Sequence, residues 1–237
     1  MLGDAMLGGT VMGGMAAGGQ MVGDLRLIIA LAAPLLIATW LLKGDGRRFT
    51  AFFLMGMGLC FAALYINAFL EAVTAMGAME TAVKLMPISE EILKALPVLF
   101  YFAVFSPKQS GIVTAATAVG LGFAMLENVH FLMMAGEANL WFSLIRGFAA
   151  GVMHTVCGAI LGVGLAMGSG RLLSVPIAFV LLCLTATIHA IYNLFMVAGG
   201  VWAVLGYILP YAIAAALLIV MQKSKQDDRQ ITIPVVK

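Results

Sequence analysis

The chain has 237 residues, 63% of them hydrophobic and only 10% charged, with a formal net charge of +2. Water-soluble domains are roughly 45–50% apolar and about 25% charged, so this composition excludes a water-facing surface and indicates a bilayer as solvent. The small net charge gives no electrostatic footprint for nucleic acid, and the length suits one compact domain.

In chain order, residues 1–24 are rich in Gly and Met. They lack the basic flank and unbroken apolar core of a signal peptide and make a poor helix, so they read as a loose tail or a short re-entrant piece. Residues 25–222 read as an all-α transmembrane helical domain, a polytopic bundle of about seven spanning helices. The expected spans are 25–42, 50–73, 89–106, 109–135, 140–168, 172–199 and 201–222, each near the ~20 apolar residues a crossing takes. Residues 223–237 form a polar tail. The three cysteines, Cys60, Cys157 and Cys183, stand isolated in apolar runs, a pattern of buried small hydrophobes and not of a zinc knuckle or disulfide framework.

Lys43, Arg47, Arg48, Lys108, Arg171, Lys223, Lys225 and Arg229 fall on one side if all the segments cross. By the excess of Lys and Arg in cytoplasmic loops, the expected placement is the cell membrane, with the N-terminus outside and the C-terminus cytoplasmic. The sixth and seventh spans meet at Gly199-Gly200 and must form a tight antiparallel hairpin. Gly120, Gly122, Gly147, Gly151, Gly158 and Gly162 supply small-residue spacings that let helix backbones approach closely.

Ionisable side chains inside spans are costly and usually face a bundle interior for functional reasons. Glu71 ends the second span on its outer side and is expected to line the same cavity as the groups that follow. The third span opens Ser89-Glu90-Glu91-Ile-Leu-Lys94. Ser89 after Pro87 suits an N-cap, which would put Glu90 and Glu91 in the first turn with Lys94 in reach of either. That arrangement explains a helix start but not two adjacent carboxylates entering so apolar a segment. The fourth span carries Glu127-Asn128 and His130, the fifth Arg146 and His154, and the sixth His189 and Asn193. A mid-span Glu127 needs a partner or a proton. By depth, these groups fall in one slab from mid-bilayer to the outer leaflet and converge on a single polar cavity.

Carboxylates beside histidines in a shielded pocket suit general acid–base activation of water, and His189 and Asn193 suit hydrogen bonding to a developing oxyanion. No Ser or Cys is placed as an obvious nucleophile, so direct attack of water on an amide is the simplest chemistry. Glu and His are also zinc ligands, although no H-E-x-x-H is present.

The motifs Glu90-Glu91-x-x-Lys94, Phe123-x-x-x-Glu127-Asn128, His154 followed by Gly158 and Gly162, and His189-x-x-x-Asn193 together resemble those of the PrsW family of intramembrane proteases. That family is related to the type II CAAX prenyl endopeptidases. The resemblance spans residues 87–195 and implies a membrane-embedded endopeptidase that cuts single-pass membrane proteins such as an anti-sigma factor. By that resemblance Glu90 and Glu91 activate water with help from Glu127 or His154. His189 and Asn193 stabilise the oxyanion, and Lys94, Asn128 and Arg146 support them. A glutamic mechanism without cofactor is favoured. With zinc, Glu91, Glu127, His154 and His189 would be the ligands. Glu127 stands where the prenyl endopeptidases place histidine, and arginine stands in them one position beyond Lys94, so a prenylated substrate is not implied. Two other functions fit intramembrane Glu, Arg and His: a proton-coupled carrier, although no internal repeat is visible, and a non-catalytic scaffold.

Overall fold

The computed structural model describes residues 29–134, 140–168 and 174–230. Among them there is no strand. The helices are α1 (Ile29–Leu41), α2 (Gly44–Thr74), α3 (Ala78–Lys84), α4 (Met86–Phe105), α5 (Gln109–Met134), α6 (Leu140–Ile145), α7 (Gly151–Met167), α8 (Ser174–Ala198) and α9 (Gly200–Gln230). A π-helical turn, Arg146–Ala150, joins α6 to α7. The all-α reading therefore holds.

Five stretches are long and apolar enough to cross a membrane: Gly44–Thr74, Gln109–Met134, Ser143–Met167, Val175–Ala198 and Gly200–Gln222. This multi-pass pattern falls short of the seven expected spans for two physical reasons. α1 is too short, and α4, though 20 residues long, carries three charges near its start. Large apolar side chains face outward along the spans, with Phe69, Phe100, Phe179 and Val201 exposed, as expected where the surrounding solvent is lipid. Cys183 belongs to that surface, while Cys60 and Cys157 are buried.

α7 is the most enclosed span and α9 the least. Glycines set the spacing of the inner helices. A Cβ on Gly120 would stand 2.5 Å from the carbonyl oxygen of His154, and one on Gly158 would strike the carbonyl of Ala116. On the other face of α5, a Cβ on Gly122 would strike the carbonyl of Phe53, and one on Gly56 of α2 that of Val119. The α2–α5–α7 layer is therefore packed backbone to backbone, as small-residue spacing allows. Gly147 plays no such part, since a Cβ there meets nothing within 4 Å. The expected hairpin is present: Gly199 and Gly200 have φ of +68° and +55°, a conformation that costs glycine least.

The start of α4 departs from expectation. The helix begins at Met86, with Pro87 inside its first turn, and no acidic residue lies in that turn. Ser89 is therefore not an N-cap, and Glu90 and Glu91 sit too far in for the end of the helix dipole to account for them. The reason is Pro87 itself: its fixed φ favours the first helical turn, so it starts the helix where the sequence reading had it precede one.

Candidate active site

α4 has an inverted character over its first half. Ile88, Ile92 and Leu96 recur every fourth residue and are exposed, whereas Glu90, Glu91 and Lys94 are buried. The lipid-facing stripe takes the apolar residues, and the charged ones must find partners inside. Consecutive residues on a helix point about 100° apart, so Glu90 and Glu91 address different neighbours.

Glu91 turns towards α8. Its Oε1 accepts from Lys94 Nζ, one turn along the same helix, and lies 3.0 Å from His189 Nδ1. A carboxylate only accepts, so Nδ1 carries the hydrogen and a neutral His189 keeps its lone pair on Nε2. That nitrogen is 3.9 Å from Glu90 Oε2, too far for a hydrogen bond.

Lys94 also reaches α7, with Nζ 2.9 Å from His154 Nδ1. The ammonium is a donor only, so Nδ1 accepts, and Nε2–H donates to Glu127 Oε2 at 2.8 Å. Phe123 closes the floor: its ring lies 5.2 Å from that of His154, with Lys94 Nζ 4.8 Å from its centroid. The two imidazoles meet edge to face at 4.9 Å. Because Gly120 lets α7 settle against α5, Glu127, two turns further along α5, comes level with His154.

Glu90 turns the other way, towards α2. Asn67 Nδ2 donates to Glu90 Oε1 at 2.9 Å, and Ser89 Oγ donates to Asn67 Oδ1 at 2.6 Å. Glu90 Oε2 is buried and has no hydrogen-bond partner among the described residues. A buried carboxylate oxygen left without a donor is expensive, and its neighbours on the open side are the two histidines. Glu90, His154 and His189 each offer a ligand atom within 4.8 Å of the others.

The expected convergence is thus observed for Glu90, Glu91, Lys94, Glu127, His154 and His189. Asn193 sits one turn past His189, but its Nδ2 donates to the Ala82 carbonyl of α3 at 2.8 Å, tying that short helix to α8. Asn128 is half-buried, and its buried Oδ1 has no partner among the described residues. The side chain of Arg146, on the π turn, lies outside what the structure describes. Of the ligands expected for zinc, His154 and His189 fall in the three-residue donor group. Glu91 and Glu127 instead hold Lys94 and the histidines, and Glu90 takes the third place.

The residue missed by sequence reasoning is Asn67. The sequence points to Glu71 on α2; Glu71 is half-buried one turn away, and Asn67 is the α2 side chain bonded to Glu90. The signal was faint: one amide in Leu64-Tyr-Ile-Asn67-Ala-Phe, four residues before a glutamate.

The donor set suits a catalytic type of zinc site, which takes three protein ligands of the His and Glu kind and leaves a fourth position open. Glu90 Oε2 and His189 Nε2 supply two of those three ligand atoms, while His154, the third residue of the group, has both ring nitrogens engaged by Lys94 and Glu127. No curated protein and no solved structure matches the chain. A family model described as PrsW family intramembrane metalloprotease matches residues 47–221, a range that holds every site residue from Asn67 to Asn193.

Proposed function

Because the chain belongs to the PrsW family of intramembrane metalloproteases, we propose that it hydrolyses peptide bonds of single-pass membrane proteins with a water activated between Glu90 and His189. The observation that carries this reading is the buried, unpartnered Glu90 Oε2, with His189 Nε2 3.9 Å away. Water placed there has a base beside it in Glu90 Oε2.

Each group has a role. Glu90 takes the proton of the attacking water through Oε2. Glu91 fixes the tautomer of His189 and is itself held by Lys94. Glu127 orients His154, a carboxylate–histidine pairing of the kind that aims an imidazole. Asn193 keeps one N–H beyond the bond to Ala82 with which to meet the carbonyl oxygen as it gains charge. In a metal-bound form Glu90, His154 and His189 would hold the ion that the family's description implies, and Glu90 Oε2 would then be a ligand in place of the base. Such an ion supplies acidification of the water and polarisation of the scissile carbonyl.

A metal-free, glutamic form of the same chemistry has one observation in its favour. Both nitrogens of His154 are already engaged, with Lys94 and with Glu127. Binding a metal requires one of those bonds to be given up.

The site's enclosure within an apolar bundle supports a single-pass substrate, a segment arriving through the membrane. The resemblance to the family makes an anti-sigma-factor-like protein the first candidate. The test is cleavage of tagged single-pass membrane proteins by the purified chain in liposomes, beside Glu90→Gln and His189→Ala, with and without a chelator. Cleavage lost in both variants supports the water-activating reading. Chelator sensitivity reversed by zinc assigns the metal form, and indifference to chelator assigns the glutamic form. Full turnover in Glu90→Gln would sink both.

A further inference from the structure

We infer that Asn67, held by Ser89, is a positioning residue that aims the reactive oxygen of Glu90. The inference rests on the proposed role of Glu90 and extends it to a helix outside the four sequence motifs.

A glutamate carboxylate can rotate about its last side-chain torsion, which is soft and roughly two-fold. Left alone in a buried site, either oxygen of Glu90 could face the histidines or turn away from them. The structure removes that freedom on one side. Asn67 Nδ2 donates to Oε1 at 2.9 Å, so Oε2 is the oxygen left towards His189 Nε2. An asparagine amide has its own ambiguity, because rotating it exchanges a donor for an acceptor. In the flipped state Oδ1 would face Glu90, placing two acceptors together. The acceptor-only carboxylate therefore selects the amide orientation, and Ser89 meets the oxygen this leaves: its hydroxyl donates to Oδ1 at 2.6 Å, and also contacts the Met86 carbonyl at 3.0 Å. The amide is thus oriented at the Glu90 end and satisfied at the Ser89 end.

Ser89 and Glu90 are neighbours on α4, while Asn67 comes from α2, 23 positions before Glu90. The side chain of Asn67 is buried, where an amide with unused groups would be costly. Here its oxygen accepts from Ser89 and its nitrogen donates to Glu90. A purely structural polar link between α2 and α4 would not need to terminate on one oxygen of a carboxylate whose other oxygen has no partner.

Supporting groups one step removed from a reactive centre are typically worth about 10- to 100-fold in activity. Asn67→Leu keeps the volume and removes both hydrogen bonds. Its kcat should fall about 10- to 100-fold with KM changed less than about twofold, since the interaction serves the reacting group and not substrate binding. Ser89→Ala should lose less, about threefold to tenfold, because Asn67 can still donate when correctly turned. Ser89→Thr, which keeps the hydroxyl, should recover most of that loss. The thermal unfolding midpoint of each variant in detergent separates aim from folding.

Loss of kcat at unchanged midpoint, with recovery in Ser89→Thr, supports the assignment. Asn67→Leu with normal kcat, beside an inactive Glu90→Gln, overturns the role of Asn67 and leaves the proposed function standing. A loss in Asn67→Leu wholly matched by a fall in midpoint and a rise in KM overturns it as well, by making the residue structural. Full activity in Glu90→Gln overturns the proposed function and this inference together.

Discussion

At the scale of single residues, Lys94 is the hinge of the site. Its ammonium faces Glu91 on its own helix and His154 on α7, and all three are buried. Removing one partner of a buried pair leaves an uncompensated charge, which costs roughly 3–5 kcal/mol. Lys94→Met should therefore lower the unfolding midpoint sharply in detergent, by more than Glu90→Gln does. Glu90→Gln removes an acceptor whose second oxygen is already without a partner. It should leave the midpoint within a few degrees of the parent while cutting cleavage by about 10²–10⁴-fold, the usual worth of a general base. If the two variants lost stability equally, Glu90 would be a structural group.

At the scale of elements, the meeting of α5 and α7 decides whether Glu127 reaches His154. Gly158 lies against the backbone carbonyl of Ala116, which cannot rotate aside as a flexible side chain would. Gly158→Ala should force the helices apart, costing about 1–3 kcal/mol and lowering cleavage as the Glu127–His154 bond lengthens. Gly147→Ala is the control, since a Cβ there meets nothing within 4 Å. Replacing that glycine in a helix should raise stability by up to ~1 kcal/mol. Paired thermal melts and cleavage assays check both. The π turn before α7 has its own fastening: the hydroxyl of Tyr211 on α9 donates to the Phe148 carbonyl at 2.6 Å. That links the outermost helix to the segment that leads into His154.

At the scale of the whole molecule, the bundle buries Glu90, Glu91 and Lys94 with two histidines in its interior, so the site's stability is tied to what fills it. A ligand that binds only the folded state raises apparent stability by mass action. If a metal is held by Glu90, His154 and His189, a chelator should lower the unfolding midpoint of the parent chain, and zinc should restore it. Glu90→Gln should show little of either shift. An equal response to chelator in both chains would mean that the metal lies elsewhere.

The class of fold, the membrane as solvent and the charged groups that meet inside the bundle were legible in the amino-acid sequence. Composition settles where a chain can exist, and a charge inside an apolar span has few reasons to be there. Glu90, Glu91, Lys94, Glu127, His154 and His189 were legible for that reason. The hairpin at Gly199-Gly200 was legible because so short a connection leaves no other path. Which partner each group takes was set by the packing of the helices. Adjacent carboxylates on a helix diverge, and the direction each faces depends on neighbours far away in sequence. Thus Glu91 went to His189 and Lys94, while Glu90 was left with one oxygen open. Asn193 was drawn to the backbone of α3, and Asn67 was recruited from α2. An uncharged amide costs too little in an apolar helix to stand out as a signal, so its role appears only once α2 and α4 are packed together.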